Sequence, residues 1–163
     1  LMRAFARIHS SYPGLELVVV GGSREQHFEL TDRARALGIH SRTRLFGNVD
    51  RETLALLYSA ASVFVFPSLY EGFGLPPLEA MSCGAPVAAS SSSSIPEVLG
   101  PAAAYFSPEN VDSLMTALCD LLDDRGKRER LARLGKKRSR LFSWDEAARQ
   151  TMVLYREAAG RVS

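Results

Sequence analysis

The sequence predicts an α/β protein in which a Rossmann-like parallel sheet is covered by helices on both faces. Short apolar runs such as 15–20 and 63–66 have the length of buried strands, and segments with helical spacing of apolar residues separate them. This alternation is typical of parallel sheets, because parallel strands need crossover connections. The chain has 163 residues and 46% of them are apolar, so it can form one domain with its own core.

The individual elements follow from local patterns. An initial helix carries Met2, Phe5 and Ile8 at helical spacing and ends at Tyr12-Pro13-Gly14, where proline and glycine favour a turn. Five strands are predicted, at 15–20, 43–46, 63–66, 86–89 and 103–106. The remaining helices are predicted at 25–37, 51–61, 76–83, 95–99, 111–122, 127–141 and 144–159.

The most informative segment is 66–81, which runs from the end of a predicted buried strand to the start of a helix. Ligands of open α/β sheets bind where strand ends and helix starts converge. Gly72 and Gly74 allow backbone N–H groups to approach an anion closely. A helix that begins near Leu75 directs unpaired N–H groups and a positive partial charge to the same place. The segment therefore predicts a phosphate cradle.

Two carboxylates flank this cradle, Glu71 in the loop and Glu79 in the predicted first turn of the helix. A carboxylate beside a phosphate repels it, but it can accept hydrogen bonds from a vicinal diol. A phosphate flanked by hydroxyl-rich rings describes a sugar nucleotide. Each residue alone also has a simpler explanation, since first-turn acids and turn glycines are common.

Taken as a string, the segment resembles the signature of the retaining GT-B glycosyltransferases of group 1, family 4. That signature reads Glu, Gly or Ser, Phe, Gly, four residues and a second Glu before Ala-Met, then Gly-x-Pro-Val and Pro-Glu-Val. This sequence has Glu71-Gly72-Phe73-Gly74, Glu79-Ala80-Met81, Gly84-Ala85-Pro86-Val87 and Pro96-Glu97-Val98. The resemblance extends over nearly the whole chain and implies the carboxy-terminal, donor-binding domain, with the amino-terminal acceptor domain outside residues 1–163.

The resemblance implies a role for each site residue. Glu71, assigned as the catalytic residue, would contact hydroxyl groups of the transferred sugar, and Glu79 would bind the ribose diol. The backbone of the Gly72–Leu75 segment would hold the sugar and distal phosphate. The further donor-binding residues are Gly22 near the phosphates, Asn48 and Val49 near the base, and Ser94; together the predicted donor-binding set is Gly22, Asn48, Val49, Gly72, Phe73, Gly74, Leu75, Glu79 and Ser94.

Two features of the family, a first strand and a basic pair, have no counterpart in this sequence. The family's six-stranded sheet, in the order 3-2-1-4-5-6, has a central first strand before a helix that resembles residues 1–11. Without this strand, we expect an exposed seam between two halves of the sheet. The loop after that strand carries a basic pair that clamps the diphosphate, and no residue of this chain can be assigned to it. The chain is either a fragment, or something else fills the gap.

The serine run Ser90–Ser94 stands where the family often has glycine-rich residues. By composition alone it reads as a flexible linker. Its position after a predicted strand and before Ile95-Pro96-Glu97 favours a helix-starting loop, with Ser94 and Glu97 forming a capping box. We expect the hydroxyl groups of this loop to bond to phosphate or to the hexose.

Charge is unevenly distributed. The net charge of +2 is too small to predict nucleic-acid binding, yet residues 125–140 carry nine Lys or Arg against the single acid Glu129. This segment is predicted as a solvated helix face, or as a contact with an anionic membrane surface or lipid-linked phosphate. Cys83 and Cys119 are expected to be buried free thiols of a cytoplasmic protein, which would work at the inner face of the plasma membrane if that contact exists.

No cofactor or metal is expected, because the chain has no Asp-x-Asp and its three histidines, His9, His27 and His40, lack metal-ligand spacing. The substrate would be a GDP- or UDP-sugar, and its hexose would pass to an acceptor alcohol with retention of configuration. Similarity to bacterial mannosyltransferases of surface polysaccharide synthesis makes mannose the first candidate. A noncatalytic nucleotide-sugar module, and a phosphorylase or epimerase on the same fold, remain alternatives.

Overall fold

The computed structural model describes residues 1–160. Helices and strands alternate along the chain as predicted, with bounds within two residues of the predicted ones except at the end of the first helix, which stops at Ile8 and is followed by a 3₁₀ turn at His9–Ser11. The strands are β1 (Leu17–Val20), β2 (Thr43–Phe46), β3 (Phe64–Phe66), β4 (Val87–Ser90) and β5 (Ala103–Phe106). The helices are α1 (Met2–Ile8), α2 (Arg24–Ala36), α3 (Arg51–Ala60), α4 (Leu75–Cys83), α5 (Ile95–Leu99), α6 (Val111–Asp123), α7 (Arg125–Ser139) and α8 (Trp144–Gly160).

The strands form two separate parallel sheets, one of β1 and β2 and the other in the order β3-β4-β5. All described pairings are parallel. No hydrogen-bonded ladder joins β1 to β3 within residues 1–160. The seam expected from the sequence is therefore confirmed, and it divides the molecule into a first half around β1–β2 and a second half around β3–β5.

Side-chain caps fix the starts of four long helices. Ser23 and Gln26 form a reciprocal capping box before α2, and Asp50, Asn110 and Asp124 accept a backbone N–H at the starts of α3, α6 and α7. Such caps satisfy donors that have no partner inside the helix. They explain why most helix starts could be read from the sequence.

Strand β4 separates two apolar clusters of the second half. Val87 and Ala89 belong to a cluster with residues of α4 and α5, whereas Ala88 belongs to a cluster with residues of α1 and α6. Alternate residues of a strand point to opposite faces, so helices cover both faces of this sheet. All four β4 residues are buried.

Helix α1 is shared between the two halves. Met2 and Phe5 pack with Leu17, Ala34 and Ile39 of the first half. Ala4 and Ile8 instead belong to the cluster of the second half that includes α6. Because these pairs lie on different faces of one short helix, α1 joins the two sheets across the seam.

Helix α7 packs closely on α4. A methyl group at Gly135 would lie 2.9 Å from Met81 Cγ and 3.2 Å from Met81 Cβ, which is too close for a side chain. Leu131 is buried in the core on the same helix. The basic segment is therefore anchored by one face and is not a free helix.

Several cations of 125–140 have local partners. Arg125 and Lys127 form ion pairs with Glu129 and Asp120. Arg128 donates to the carbonyls of Leu121 and Leu122 at 2.5 and 2.7 Å, which caps the end of α6. Six of the nine cations are exposed, as predicted for a solvated face, whereas Lys127, Arg128 and Arg138 are half-buried.

Two burial predictions need correction. Strand β3 was expected to be buried, but all three of its residues are only half-buried because one edge faces the seam. Cys83 and Cys119 are free, as expected, but they are half-buried rather than buried. Among the described residues, no helix has both the length and the apolar character needed to cross a membrane.

Candidate active site

The start of α4 leaves consecutive backbone donors without partners. Gly74, at the N-cap position, has φ +98°, a left-handed conformation that favours glycine. The N–H groups of Phe73, Gly74 and Leu75 donate to no described residue. Pro76 and Pro77 follow and have no N–H, so Gly74 and Leu75 supply the donors of this helix end.

Glu71 lies in the loop before these donors, and hydroxyl groups hold its peptide. Ser93 Oγ donates to the Glu71 carbonyl at 2.7 Å and accepts from the Glu71 N–H at 3.4 Å. Ser94 Oγ donates to the same carbonyl at 2.9 Å and to that of Phe73 at 3.3 Å. The Glu71 side chain is half-exposed and forms no ion pair with a described residue.

The earlier part of the same loop is held by two more serines. Ser90 Oγ donates to the Ser68 carbonyl at 2.6 Å, and Ser92 Oγ donates to the same oxygen at 3.2 Å. The serine run is therefore a set of hydrogen-bond donors to the 68–73 loop and does not behave as a linker. Its hydroxyls are directed to backbone carbonyls of the protein, a use that composition could not reveal.

The predicted capping box of Ser94 and Glu97 is wrong. Ser94 precedes α5 but makes no side-chain cap, because its hydroxyl is engaged by the carbonyls of Glu71 and Phe73. Ser94 therefore contacts the site through the Glu71 loop. Its predicted bond to the donor stays a prediction.

Glu79 lies in the second turn of α4, not the first, because the helix starts at Leu75. Its side chain is exposed, and Tyr58 of α3 donates a long hydrogen bond of 3.5 Å to it. Burial of the Tyr58 ring, followed by the negative charge of Glu79, raises the pKa of Tyr58 to about 12. Neither Glu71 nor Glu79 is paired with a described cation, so both carboxylates are available to a ligand.

A second group of predicted residues follows β1 and β2. Gly21 and Gly22 have φ values of +93° and +89°. Gly21 donates to the Phe46 carbonyl at 2.9 Å, and the ring of His27 contacts the Gly21 carbonyl at 2.7 Å. Parallel strands bring Gly21 and the Gly47–Val49 loop to one edge of the sheet.

In this second group Asn48 is exposed and Val49 half-buried, and the Asn48 side chain bonds to no described residue. A depression of about 320 Å³ lies here and includes Gly22, Gln26 and Leu30 in its lining. A larger concavity of about 560 Å³ lies between β5, α6 and α7, away from both Glu71 and Glu79. In that larger concavity Lys127 is already paired with Asp120 and Tyr105 with the Gly100 carbonyl, so its size does not make it the candidate site.

An aromatic and cationic bridge supports the Glu71 loop from α7. The Phe73 ring packs edge-on against Phe142 with centroids 5.6 Å apart, and the Arg138 guanidinium lies 5.2 Å from the Phe142 centroid. Arg138 also donates to the carbonyls of Val98 and Glu97 at 2.8 and 2.7 Å. One arginine thereby connects the end of α5 with the Phe73 side of the loop.

No group of three or more His, Cys, Asp or Glu side chains among residues 1–160 is arranged to hold a metal ion. His9 contacts the Ala6 carbonyl at 3.0 Å. His27, in α2, contacts the Gly21 carbonyl at 2.7 Å.

Comparison with known proteins agrees with the signature. Residues 1–138 match the family described as glycosyl transferases group 1. The chain belongs to this family. A sucrose-phosphate synthase from Thermosynechococcus elongatus superimposes with a TM-score of 0.86 at 29% identity, over 98% of this chain and 42% of that one. The fold is thus that of the GT-B glycosyltransferases.

Two curated relatives of this group 1 glycosyltransferase chain are mannosyltransferases. O-antigen chain mannosyltransferase B of Escherichia coli is 44% identical over 69% of the chain. The MMP alpha-(1->4)-mannosyltransferase of Mycolicibacterium hassiacum is 40% identical over 78% of it. The matches span only 30% and 32% of the length of these relatives.

The site residues predicted from the sequence of this glycosyltransferase chain thus form two groups, one beside each sheet. Glu71, the Gly72–Leu75 segment, Glu79 and Ser94 lie together around the start of α4, and Gly22, Asn48 and Val49 lie beyond the strand ends of the first half. Sequence reasoning missed Tyr58, Ser93 and Arg138, which act on the site through contacts distant in sequence. Only for Ser93 did a signal exist, since the serine run stood out by composition.

Proposed function

We propose that the chain is the donor-binding part of a retaining hexosyltransferase that transfers a hexose from a nucleoside diphosphate sugar to an acceptor alcohol. One observation carries the proposal: the free N–H groups of Phe73, Gly74 and Leu75 lie between two carboxylates that have no cationic partner. Free amides at a helix start suit a diphosphate. Unpaired carboxylates suit hydroxyl groups.

The proposed chemistry follows from where charge develops. Breaking the glycosidic bond to the diphosphate gives an oxocarbenium-like sugar and leaves negative charge on the departing phosphate. Fixed N–H groups at the start of α4 would stabilise that charge without reorganising. Glu71 would hold hydroxyl groups of the sugar, and Glu79 the ribose. Retention would result from attack on the face that the diphosphate leaves, with a phosphate oxygen taking the acceptor proton.

Mannose is the proposed hexose and GDP-mannose the first donor to test. The support is the identity of 44% and 40% to two mannosyltransferases. The names of these two relatives state no nucleotide, so UDP- and ADP-sugars belong in the same test. Surface polysaccharide synthesis is the proposed setting, by analogy with the O-antigen enzyme.

Acceptor binding is proposed to involve a separate domain across the cleft. The chain spans about a third of the length of the relatives that it matches. We therefore expect residues 1–163 alone to bind donor weakly and to transfer little. Transfer is best measured in the protein that carries this chain together with whatever sequence flanks it.

The test compares donors and one carboxylate. Thermal shift of the protein that carries this chain is measured with GDP-mannose, UDP-glucose and ADP-glucose, and transfer is then measured with the donor that stabilises most. Glu71→Gln keeps the shape of the side chain but removes its charge. We expect transfer to fall by on the order of 100-fold, as when one group that stabilises the transition state is removed.

Glu109→Gln is the matched control, because Glu109 is an exposed loop carboxylate after β5 with no hydrogen bond to described residues. It should leave transfer unchanged. Wild-type turnover by Glu71→Gln would refute the role of Glu71. Donor binding without transfer would favour a noncatalytic nucleotide-sugar module, and stabilisation by none of the donors would overturn the proposal.

A further inference from the structure

Ser93 has a backbone conformation that its side chain does not favour. Its φ is +56°, and it is the one non-glycine residue of 1–160 with a positive φ. In this left-handed region Cβ crowds the following carbonyl, so glycine is preferred and other residues occupy it at a cost. Ser93 is exposed, so burial of its side chain does not offset that cost.

The hydroxyl of Ser93 uses both of its hydrogen-bonding capacities on one residue. It donates to the Glu71 carbonyl at 2.7 Å and accepts from the Glu71 N–H at 3.4 Å. A hydroxyl has one donor and two acceptor positions, so both bonds can exist together. The two bonds hold the Glu71 peptide on both sides of its Cα.

The other serines of the run do not duplicate this contact. Ser90 and Ser92 both donate to the Ser68 carbonyl and make no bond to Glu71. Ser94 also reaches the Glu71 carbonyl, but it has no contact with the Glu71 N–H. Ser93 is therefore the member of the run that fixes both polar groups of the Glu71 backbone.

We propose that Ser93 is a positioning residue: its strained backbone places the hydroxyl where it holds the Glu71 peptide, and thereby aims the Glu71 carboxylate at the sugar of the donor. This inference rests on the proposed function, in which Glu71 contacts the transferred sugar. Strained residues of this kind persist where the surrounding structure holds them, and they concentrate at functional sites. The orientation of a catalytic side chain depends on such supporting bonds.

The test separates the hydroxyl from the backbone strain by two substitutions in the protein that carries this chain. Ser93→Ala removes both hydrogen bonds and keeps the strain, whereas Ser93→Gly removes both bonds and relieves the strain. We expect Ser93→Gly to melt at a higher temperature than Ser93→Ala. Transfer should fall by roughly tenfold or more in both variants, because the misplacement of Glu71 is the same.

Three further readouts distinguish positioning from a general structural defect. Hydrogen exchange of the Glu71 amide should be faster in both variants. The Kd for GDP or UDP alone should change less than about twofold, while that for the nucleotide sugar rises, because only the sugar meets Glu71. Ser41→Ala is the control and should behave as wild type, since Ser41 is an exposed serine before β2 whose side chain bonds to no described residue.

The outcomes are separable. If Ser93→Gly transfers at nearly the wild-type rate and only the less stable Ser93→Ala is slow, Ser93 acts through stability. That result would overturn the inference. Wild-type protein that binds nucleotide sugar, combined with unchanged binding and transfer in both variants, would overturn the role of Ser93 alone. Wild-type protein that binds none of the donors would overturn the proposed function and this role together.

Discussion

The two halves of the molecule hold their candidate ligand groups in different ways. In the second half, the Glu71 loop is bonded by four serine hydroxyls and supported by the Arg138–Phe142–Phe73 bridge. In the first half, backbone bonds and His27 hold Gly21, while the Asn48 side chain bonds to no described residue. The proposed sugar-binding region is therefore held by more side-chain contacts than the proposed base-binding region.

This difference bears on what each half can contribute to specificity. A group that is already oriented loses little entropy when it binds, so preorganised contacts favour discrimination in the sugar and its reacting bond. A loop that must still be ordered contributes less to affinity and tolerates different bases. We therefore expect the preference for the hexose to exceed the preference for the nucleotide.

The largest expected effect comes from Phe5→Ala, which breaks the packing of α1 on the first half. Phe5 is only 3% exposed and packs with Leu17 and Ile39. Removing a buried aromatic ring of this kind lowers the free energy of unfolding by about 3–5 kcal/mol. Urea unfolding measures the change in the free energy of unfolding of the whole protein. Hydrogen exchange should show that the amides of β1 and β2 lose more protection than those of β4.

Phe28→Ala is the control, since Phe28 belongs to the same half but is 60% exposed. Its change in unfolding free energy should be under about 1 kcal/mol, the range of exposed contacts such as its cation–π pair with Arg24. Equal loss of protection in β1, β2 and β4 after Phe5→Ala would mean that the halves unfold as one unit and would break the comparison.

The next effect separates the two glycines of the signature. Gly74→Ala must adopt φ +98° and should lower stability by roughly 1–2 kcal/mol as well as weaken donor binding. A methyl group at Gly72 meets nothing within 4 Å, and Gly72 has no positive φ. Gly72→Ala should therefore leave stability unchanged within about 0.5 kcal/mol. If the donor approaches this backbone, the Gly72→Ala substitution should still weaken donor binding.

Thermal unfolding measures the stability of the two variants, and donor titration measures their affinity for the nucleotide sugar. A Gly72→Ala protein that binds donor as wild type does would show that the ligand stays away from this peptide. The phosphate cradle would then reduce to the groups of Gly74 and Leu75.

The smallest effect concerns Tyr58, which packs in the core of the second half and whose hydroxyl joins α3 to Glu79 of α4. The pKa of Tyr58 is raised to about 12 from its ordinary 10.0, so the folded state favours the neutral phenol. This contribution to stability is complete below pH 10 and is lost as pH rises through 12. Between those values, the unfolding free energy of wild type should fall more steeply than that of Tyr58→Phe.

Tyr70→Phe is the matched control, because Tyr70 is 82% exposed and lies in the loop next to Glu71. Its unfolding free energy at pH 7 should stay within about 0.5 kcal/mol of wild type. Parallel pH profiles for wild type and Tyr58→Phe would indicate that burial and Glu79 do not raise the pKa of Tyr58.

The order of elements could be predicted from the sequence, and the seam from the resemblance to a family with a six-stranded sheet. Apolar runs and the turn at Pro13-Gly14 are local signals, and local signals place helices and strands. Glu71 and the Gly72–Leu75 segment could be assigned because one contiguous string contains them. Glu79 was assigned to the first turn, but with Leu75 as the first helical residue it is the fifth, one position past that turn.

The remaining features depend on contacts between segments far apart in the chain. Ser93 and Glu71 are 22 positions apart, and Arg138 lies 40 positions from Val98. No local pattern encodes such a partner, which is why the serine run was interpreted as a capping box and a donor contact. The same limit applies to 125–140, where only the structure revealed which cations are engaged; contact of the others with an acidic membrane stays a prediction.

The absence of a side chain at Gly135 sets the distance between α7 and the helix that opens with Leu75, since Met81 occupies the space that a methyl group would need. Because interiors are packed as tightly as crystals, a larger residue at position 135 must displace Met81 or separate the two helices. A change at this remote glycine would therefore move α4 and, with it, the amide donors at its start. Affinity for a phosphate ligand could in this way be adjusted during evolution without altering any residue that touches it.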